Sequence, residues 1–194
     1  MKEVLLFLTD HWADWEAGHA IAGISMTEQY VVKTIAVDKQ PKVSIGGMRA
    51  EIDYAIADYQ NFDNLAMLIL TGSFSWGENR YDEIAAFVRD AHNRSIPIAA
   101  ICGATIFLAK HGFLNSVKHT GDELEYFQEM LENEEGYKGE EYFTVSQVIN
   151  DGGFITANET AALEFAREIF YVLKTDTDEE INSWYEKQRC GMEH

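Results

Sequence analysis

The sequence is poor in the residues that mark disulfide-stabilised or nucleic-acid-binding proteins. Its 194 residues include only two cysteines, and 15 lysines and arginines stand against 33 aspartates and glutamates. Cys102 and Cys190 lie too far apart for a disulfide framework or a zinc-finger spacing, so we expect a reducing, cytoplasmic environment. Because phosphate contacts require clusters of lysine and arginine, the formal charge of −18 argues against nucleic acids and anionic membranes as partners.

Long apolar runs and recognisable cofactor motifs are also missing. No segment approaches the roughly 20 apolar residues that span a bilayer, and the N-terminus begins with a short apolar strand rather than a signal sequence. The six histidines form no zinc-binding pattern. Gly18 and Gly23 fall within a predicted helix and not in a phosphate-binding loop. We therefore expect a soluble protein that binds neither a metal nor another cofactor.

The residues that are present favour one α/β domain. Hydrophobic residues make up 46% of the chain, which is enough to bury a core. Apolar strands alternate with helical patterns, and this order predicts a parallel sheet with helices packed on it. The predicted strands are residues 4–9, 30–37, 65–71 and 96–101, with a strand pair at 142–150 and 153–157. The predicted helices are residues 14–27, 81–94, 122–133, 159–174 and 178–189.

A Gly-Gly turn within residues 43–53 predicts a hairpin that lies off the main sheet. No repeat or long linker marks a second domain. We therefore assign residues 1–174 to one domain and residues 175–194 to a helical extension of it.

A lone thiol stands at one strand-to-helix junction. Cys102 follows an apolar strand, and Gly103, which has no Cβ to clash in a sharp bend, follows the thiol. Such a turn holds a nucleophile out of the sheet at the N-terminus of a helix, so we expect a lowered thiol pKa and more thiolate. Alternatively, Cys102 is a small buried core residue without a chemical role.

Five segments, taken in order, resemble the ThiJ/PfpI superfamily, which has the class I glutamine amidotransferase-like fold. They are Ala-Asp-Trp-Glu at 13–16, Leu-Thr-Gly-Ser at 70–73, Ala-Ala-Ile-Cys-Gly-Ala-Thr at 99–105, Lys-His-Thr at 118–120 and Asp-Gly-Gly-Phe-Ile-Thr-Ala at 151–157. The resemblance covers about residues 3–174. It implies a flavodoxin-like three-layer sandwich with a central, mostly parallel sheet and helices on both faces, a functional Cys102, and a homodimer.

The resemblance also implies a role for Glu16. In the family this glutamate is held protonated against the cysteine sulfur, which requires a raised carboxyl pKa. Burial beside Trp12 and Trp15 would supply that shift by desolvation. The alternative is a carboxylate at a helix start that interacts with the helix dipole.

The end of a second predicted strand supplies candidate backbone hydrogen-bond donors. Gly72 and Ser73 follow a predicted strand, and with Gly103 their N–H groups are candidates for an oxyanion hole. The family more often has Gly-Gly at this point, but a backbone donor does not depend on the side chain. The alternative is a simple turn.

The sequence offers more than one candidate for the general base and for the walls of the pocket. Some relatives place a histidine directly after the cysteine, where this chain has Gly103. His119 and Asp122 are candidates, but a lone histidine at a strand end is more often structural or solvated, and Asp122 alternatively caps the helix that begins there. Trp15 and Trp76 are candidate pocket residues, and Trp76 alternatively packs beneath the next helix.

Two functions fit these observations. The first is a cysteine-dependent hydrolase or lyase that acts through Cys102, tuned by Glu16, on a small electrophile such as a reactive carbonyl adduct or an amide. The second is a non-enzymatic, redox-sensing or chaperone-like stress protein in which Cys102 is oxidised to the sulfinic acid. An ammonia-producing amidotransferase is disfavoured, because no histidine and glutamate spaced two apart occur late in the chain.

Overall fold

The computed structural model describes residues 1–131 and 135–191, without the side chains of residues 79 and 80. Within this part of the chain, seven strands form one sheet in the order β5-β2-β1-β6-β7-β9-β8. The strands are β1 (Lys2–Phe7), β2 (Tyr30–Ala36), β5 (Tyr54–Ala55), β6 (Leu65–Leu70), β7 (Ile98–Ile101), β8 (Val148–Asp151) and β9 (Phe154–Ala157). All neighbours pair in parallel except β8, which runs antiparallel to β9. This order confirms the predicted α/β fold with a mostly parallel sheet.

Helices cover both faces of the sheet. They are α1 (Gly18–Ser25), α2 (Ile84–Asn93), α3 (Gly103–Lys110), α4 (Leu124–Leu131), α5 (Ala162–Leu173) and α6 (Asp178–Cys190). Because successive strand side chains point to opposite faces, Leu5 and Phe7 join the core beneath α2 and α3, whereas Val4 and Leu6 join the core beneath α1 and α5. Among the described helices, none is both long and apolar enough to cross a membrane.

Several predicted elements differ in extent from the observed ones: the strand predicted over residues 142–150 is formed only at Val148–Asp151 (β8), and a second difference lies after β1. The helix predicted over residues 14–27 begins only at Gly18, because residues 13–17 form turns that direct Glu16 into the interior. The helix predicted over 81–94 likewise starts at Ile84, after a 3₁₀ segment (Asn79–Glu83). The predicted end of the 122–133 helix falls partly outside the described residues.

The predicted hairpin is present and separate from the main sheet. Strands β3 (Lys42–Val43) and β4 (Arg49–Ala50) pair antiparallel. The hairpin is hydrogen-bonded to the loop that precedes Glu16, through His11 N–H to Val43 O (2.8 Å) and Ile45 N–H to Trp12 O (2.9 Å). It therefore supports the turns that follow β1.

Candidate active site

Cys102 occupies a sharp bend between β7 and α3. Its backbone has φ 56° and ψ −135°, a conformation that L side chains rarely adopt. The bend is held from both sides, since Cys102 N–H donates to Ala157 O (3.0 Å) and Thr105 N–H donates to Cys102 O (2.8 Å). The side chain is half-buried. Backbone strain that surrounding contacts maintain is typical of functional sites.

Glu16 lies beside Cys102 and is fully buried, with 0% of its surface exposed. The N–H of Gly72 donates to its Oε2 at 2.6 Å, while Oε1 has no hydrogen-bond partner among the described residues. A Cβ on Gly72 would lie 2.7 Å from Glu16 Oε1 and 2.9 Å from the Cβ of Cys102. The carboxyl and the thiol-bearing side chain therefore both pack against Gly72.

The electrostatics of this pair differ from the expectation for the thiol. Burial raises the pKa of Glu16 to about 7, although the hydrogen bond from Gly72 N–H and the neighbouring Cys102 thiol act in the opposite direction. Burial and the negative charges of Glu16 and Asp122 raise the pKa of the Cys102 thiol, and the N–H of Gly103 only partly opposes them. The lowered thiol pKa that the helix N-terminus alone predicts is therefore wrong, because burial in the first place, and then the acidic neighbours, raise the pKa of the thiol.

The oxyanion-hole candidates separate into two groups. Gly72 does not fit the predicted role, because its N–H is already used by Glu16. Ser73 N–H has no acceptor in the described part of the chain and lies 3.9 Å from the position of a Cβ on Gly103. Ser73 is fixed by its side chain, whose Oγ donates to Asp10 O (2.8 Å). The backbone donors near the thiol are thus those of Ser73 and Gly103.

Cys102 and Glu16 open into a cavity of about 690 Å³. Its lining includes four acidic residues, several aromatic and aliphatic side chains, and, among the residues that the structure describes, no lysine, arginine or histidine. The acidic residues are Glu16, Asp122, Glu123 and Glu159, and the larger apolar ones are Trp15, Ile45, Phe74, Leu124, Tyr126, Phe143 and Val145. The cavity is therefore amphipathic and carries charge of one sign.

Asp122 reaches this cavity as predicted for a site-facing residue. Its Oδ1 accepts a hydrogen bond from Glu159 N–H (2.8 Å), which ties the residues before α4 to the loop after β9. No hydrogen bond from α4 to this carboxylate occurs among the described residues, so it does not act as the alternative helix cap. Burial and the nearby charge of Glu159 raise the pKa of Asp122.

His119 is not brought into the cavity. It is fully buried, with Nδ1 2.8 Å from Val117 O and Nε2 2.9 Å from Tyr137 Oη. Its ring packs among Phe127, Tyr137 and Phe143. Burial lowers the pKa of the imidazole. The catalytic role predicted for His119 therefore does not fit this position, whereas the structural alternative does.

The two tryptophan candidates also differ. Trp15 lines the cavity with 52% of its surface exposed. Trp76 lies beneath the bend instead, where it stacks on Phe7 and Phe107 and its indole N–H donates to Thr71 O (2.8 Å). Trp76 is thus a packing residue next to Gly103, as its alternative interpretation states.

Three cavity residues bring possible metal-ligand atoms together. Cys102 Sγ and one carboxylate oxygen each from Asp122 and Glu159 lie within 4.8 Å of one another. Sequence reasoning missed Glu159, although a signal for it exists. Glu159 follows β9, and the carboxyl ends of parallel strands meet at one edge of the sheet, where Cys102 also lies.

Comparisons with known proteins give matches that extend over most of the chain. The model of the DJ-1/PfpI family matches residues 2–171. A Bacillus subtilis protein named "Uncharacterized protease YdeA" is 36% identical over 196 residues, which span 100% of this chain and 94% of that protein. A second B. subtilis protein, "Uncharacterized protease YoaZ", is 33% identical across 95% of this chain and 89% of its own length.

A solved structure supports the fold in the same way. A thiJ/pfpI family protein from Bacillus anthracis superimposes with a TM-score of 0.89 at 29% identity, covering 98% of this chain and 92% of that one.

Proposed function

The chain belongs to the DJ-1/PfpI family, and from this premise we propose that it is a cysteine-dependent hydrolase or lyase that acts on small carbonyl compounds or amides. One observation carries the proposal. Cys102 stands in a strained strand-to-helix bend at a cavity, and the unpartnered Oε1 of the fully buried Glu16 lies beside it. The names of the two B. subtilis relatives support amide hydrolysis as one such activity.

Glu16 is the proton acceptor in this proposal. Its pKa of about 7 leaves a substantial carboxylate fraction at neutral pH, and the pKa of the thiol is raised, so the proton resides on sulfur before attack. As Cys102 Sγ forms a bond to the carbonyl carbon, the S–H proton passes to Glu16 and the C=O π pair moves to oxygen. The N–H groups of Ser73 and Gly103 stabilise the resulting oxyanion.

The fate of the adduct depends on the substrate. A 2-oxoaldehyde such as methylglyoxal gives a thiohemiacetal once the oxyanion takes the proton back from Glu16. The protons on C1 and on its oxygen then move to C2 and to the C2 oxygen through an enediol, and water hydrolyses the resulting thioester to a 2-hydroxy acid and the free thiol. With an amide, collapse of the oxyanion breaks the C–N bond, the proton on Glu16 goes to the departing amine, and water then hydrolyses the thioester. Each of these steps uses the same two side chains.

Turnover dependent on Cys102 tests the proposal. Methylglyoxal and fluorogenic coumarin amides are assayed with the wild type, Cys102→Ser, and the matched control Cys190→Ser, which removes the exposed second thiol. We expect turnover to be lost in Cys102→Ser and kept in Cys190→Ser. Equal turnover in all three proteins, or none in the wild type, contradicts the proposal.

The second candidate is a redox sensor, which the unpartnered Glu16 Oε1 also favours. A protonated Glu16 would donate a hydrogen bond from this atom to an oxygen on an oxidised Cys102. Two equivalents of hydrogen peroxide would convert the thiol first to the sulfenic and then to the sulfinic acid and release two waters. Mass spectrometry that finds a stable two-oxygen adduct on Cys102, lost in Glu16→Gln, without turnover of any carbonyl or amide substrate, selects this function over the first.

A further inference from the structure

The charge of the cavity bears on which electrophiles enter it. Four carboxyl-bearing side chains line it, and in the described part of the chain no cationic side chain joins them or pairs with Asp122, Glu123 or Glu159. The whole chain carries a formal charge of −18. A cleft lined by one sign of charge concentrates ligands of the opposite sign and repels those of its own.

Two of the acidic groups lie close to the thiol rather than at a distant rim. Carboxylate oxygens of Asp122 and Glu159 lie within 4.8 Å of each other and of Cys102 Sγ. Glu16 adds a buried Oε1 without a partner at the inner end of the cavity. Carboxylates this close repel one another, so a positive group placed between them is stabilised in a way that a neutral group is not.

The apolar walls suit the same kind of ligand. Trp15, Phe74, Tyr126 and Phe143 present aromatic rings to the cavity. Aromatic faces attract ammonium and guanidinium groups, and the carbon chain of such a ligand buries apolar surface against the same walls. Aromatic rings combined with carboxylates therefore favour an organic cation over a small inorganic ion.

We propose that the substrate of this site is a carbonyl compound or amide that carries a positively charged ammonium or guanidinium group, which Asp122, Glu123 and Glu159 hold while Cys102 attacks the electrophilic carbon. This inference rests on the proposed function. It identifies the three acidic residues as determinants of specificity, while Cys102 and Glu16 perform the chemistry.

The bound cation also assists the attack. Negative neighbours disfavour the thiolate, and a positive group seated between Asp122 and Glu159 offsets their field at the sulfur. A neutral substrate of the same reactivity lacks this effect. We therefore expect the charge of the substrate to change the rate of the chemical step as well as the affinity.

Thiol-labelling reagents that differ in charge test the inference without requiring turnover. Aminoethyl, methyl and sulfonatoethyl methanethiosulfonate are cationic, neutral and anionic, and each forms a disulfide with the thiol and releases methanesulfinate. Labelling rates of Cys102 are measured in the Cys190→Ser protein and divided by those of N-acetylcysteinamide. The normalised rate of the cationic reagent is expected to exceed that of the anionic one by about tenfold or more at low salt, and the ratio falls as salt is added.

Variants then assign the preference to residues. Glu123→Gln and Glu159→Gln each lower the cation-to-anion ratio, whereas Glu125→Gln, an exposed residue of α4 outside the cavity lining, leaves it unchanged. With coumarin amides of lysine, alanine and glutamate, kcat/KM follows the order lysine, alanine, glutamate.

The outcomes separate the two proposals. Labelling of Cys102 at equal normalised rates by all three reagents overturns the charge preference and leaves the proposed function intact. A Cys102 that none of the reagents labels overturns the proposed function and, with it, this inference. A preference that Glu125→Gln removes as fully as Glu159→Gln assigns it to the net charge of the protein and contradicts the role of the cavity residues.

Discussion

The N–H of Gly72 donates to Glu16 Oε2, so the end of strand β6 fixes the carboxyl that lies beside Cys102. This bond leaves Oε1 as the oxygen available to the thiol. It also makes Gly72 a positioning residue and removes it from the set of oxyanion donors.

Gly72→Ala is expected to displace Glu16 from the thiol. The new Cβ would lie under 3.0 Å from both carboxylate oxygens of Glu16 and from the Cβ of Cys102. Overpacking of this kind costs about 1–3 kcal/mol. Urea unfolding measures the loss of stability, and iodoacetamide alkylation measures the changed reactivity of Cys102. Gly77→Ala is the control, because nothing lies within 4 Å of its Cβ position. Equal behaviour of the two variants would show that Gly72 is not packed against the pair.

Glu16 is expected to make the protein less stable as pH rises. Its pKa goes from 4.5 in the unfolded chain to about 7 in the folded protein, so between these values the folded protein binds more protons. The contribution to stability is present below pH 4.5 and is lost as pH rises through about 7, and its size is about 3 kcal/mol. Glu16→Gln abolishes this loss.

Urea unfolding between pH 5 and pH 8 checks the prediction. The quantity compared is the free energy of unfolding of the wild type minus that of Glu16→Gln. The difference is needed because His119 acts in the opposite direction. Its lowered pKa gives a contribution that is present above the ordinary histidine value and lost as pH falls. Glu125→Gln, on the surface, should show the wild-type dependence. A pH-independent difference between wild type and Glu16→Gln would mean that Glu16 is ionised throughout.

Cys102→Gly is expected to be more stable than Cys102→Ala. At φ 56° a Cβ is strained and glycine is not, and such strain costs on the order of 1–3 kcal/mol. Calorimetry compares the two melting temperatures. The reference is Ala104→Gly, two residues further along in helix α3, where glycine destabilises as usual. A Cys102→Gly protein less stable than Cys102→Ala would show that the bend is relaxed.

Tyr137→Phe is expected to destabilise the protein without affecting Cys102. Val117 O only accepts, so His119 Nδ1 carries the proton and Nε2 accepts from the Tyr137 hydroxyl. Removing the hydroxyl leaves a buried acceptor unpaired, at about 1–3 kcal/mol. Urea unfolding reports this loss, and the alkylation rate of Cys102 should equal that of the wild type. A slower alkylation rate would indicate that His119 influences the reactivity of Cys102.

The sequence predicted the fold because the fold follows from strand order, whereas the pairing of Glu16 with Cys102 was implied by the resemblance to the ThiJ/PfpI superfamily. Apolar strands alternating with helices imply parallel pairing, and parallel strands bring their carboxyl ends to one edge of the sheet. Cys102 after β7 and Gly72 after β6 therefore had to meet. The buried position of Glu16 depends instead on the turns at residues 14–17, where the sequence pattern predicted a helix.

The remaining features depend on three-dimensional facts that no local pattern contains. His119 makes a single bridge with Phe143, and the sequence does not tell to which side its ring points. Gly72 N–H donates to Glu16 and is therefore not free to bind an oxyanion. Predicting this requires the position of the Glu16 side chain. The raised thiol pKa comes first from burial and then from the charges of Glu16 and Asp122, which separate segments bring to the cavity.

Because of the β3–β4 hairpin, we expect the active site to lose its geometry at a lower temperature than that at which the main sheet unfolds. Two short strands are marginally stable by themselves, yet this hairpin holds the loop before Glu16 through Val43, Ile45 and the contacts of Asp14 with Ser44 and Gly46. Opening the ribbon costs less than unfolding the seven-stranded sheet. Heating would therefore uncouple Glu16 from Cys102 while the sheet is intact, so inactivation would precede melting and reverse on cooling.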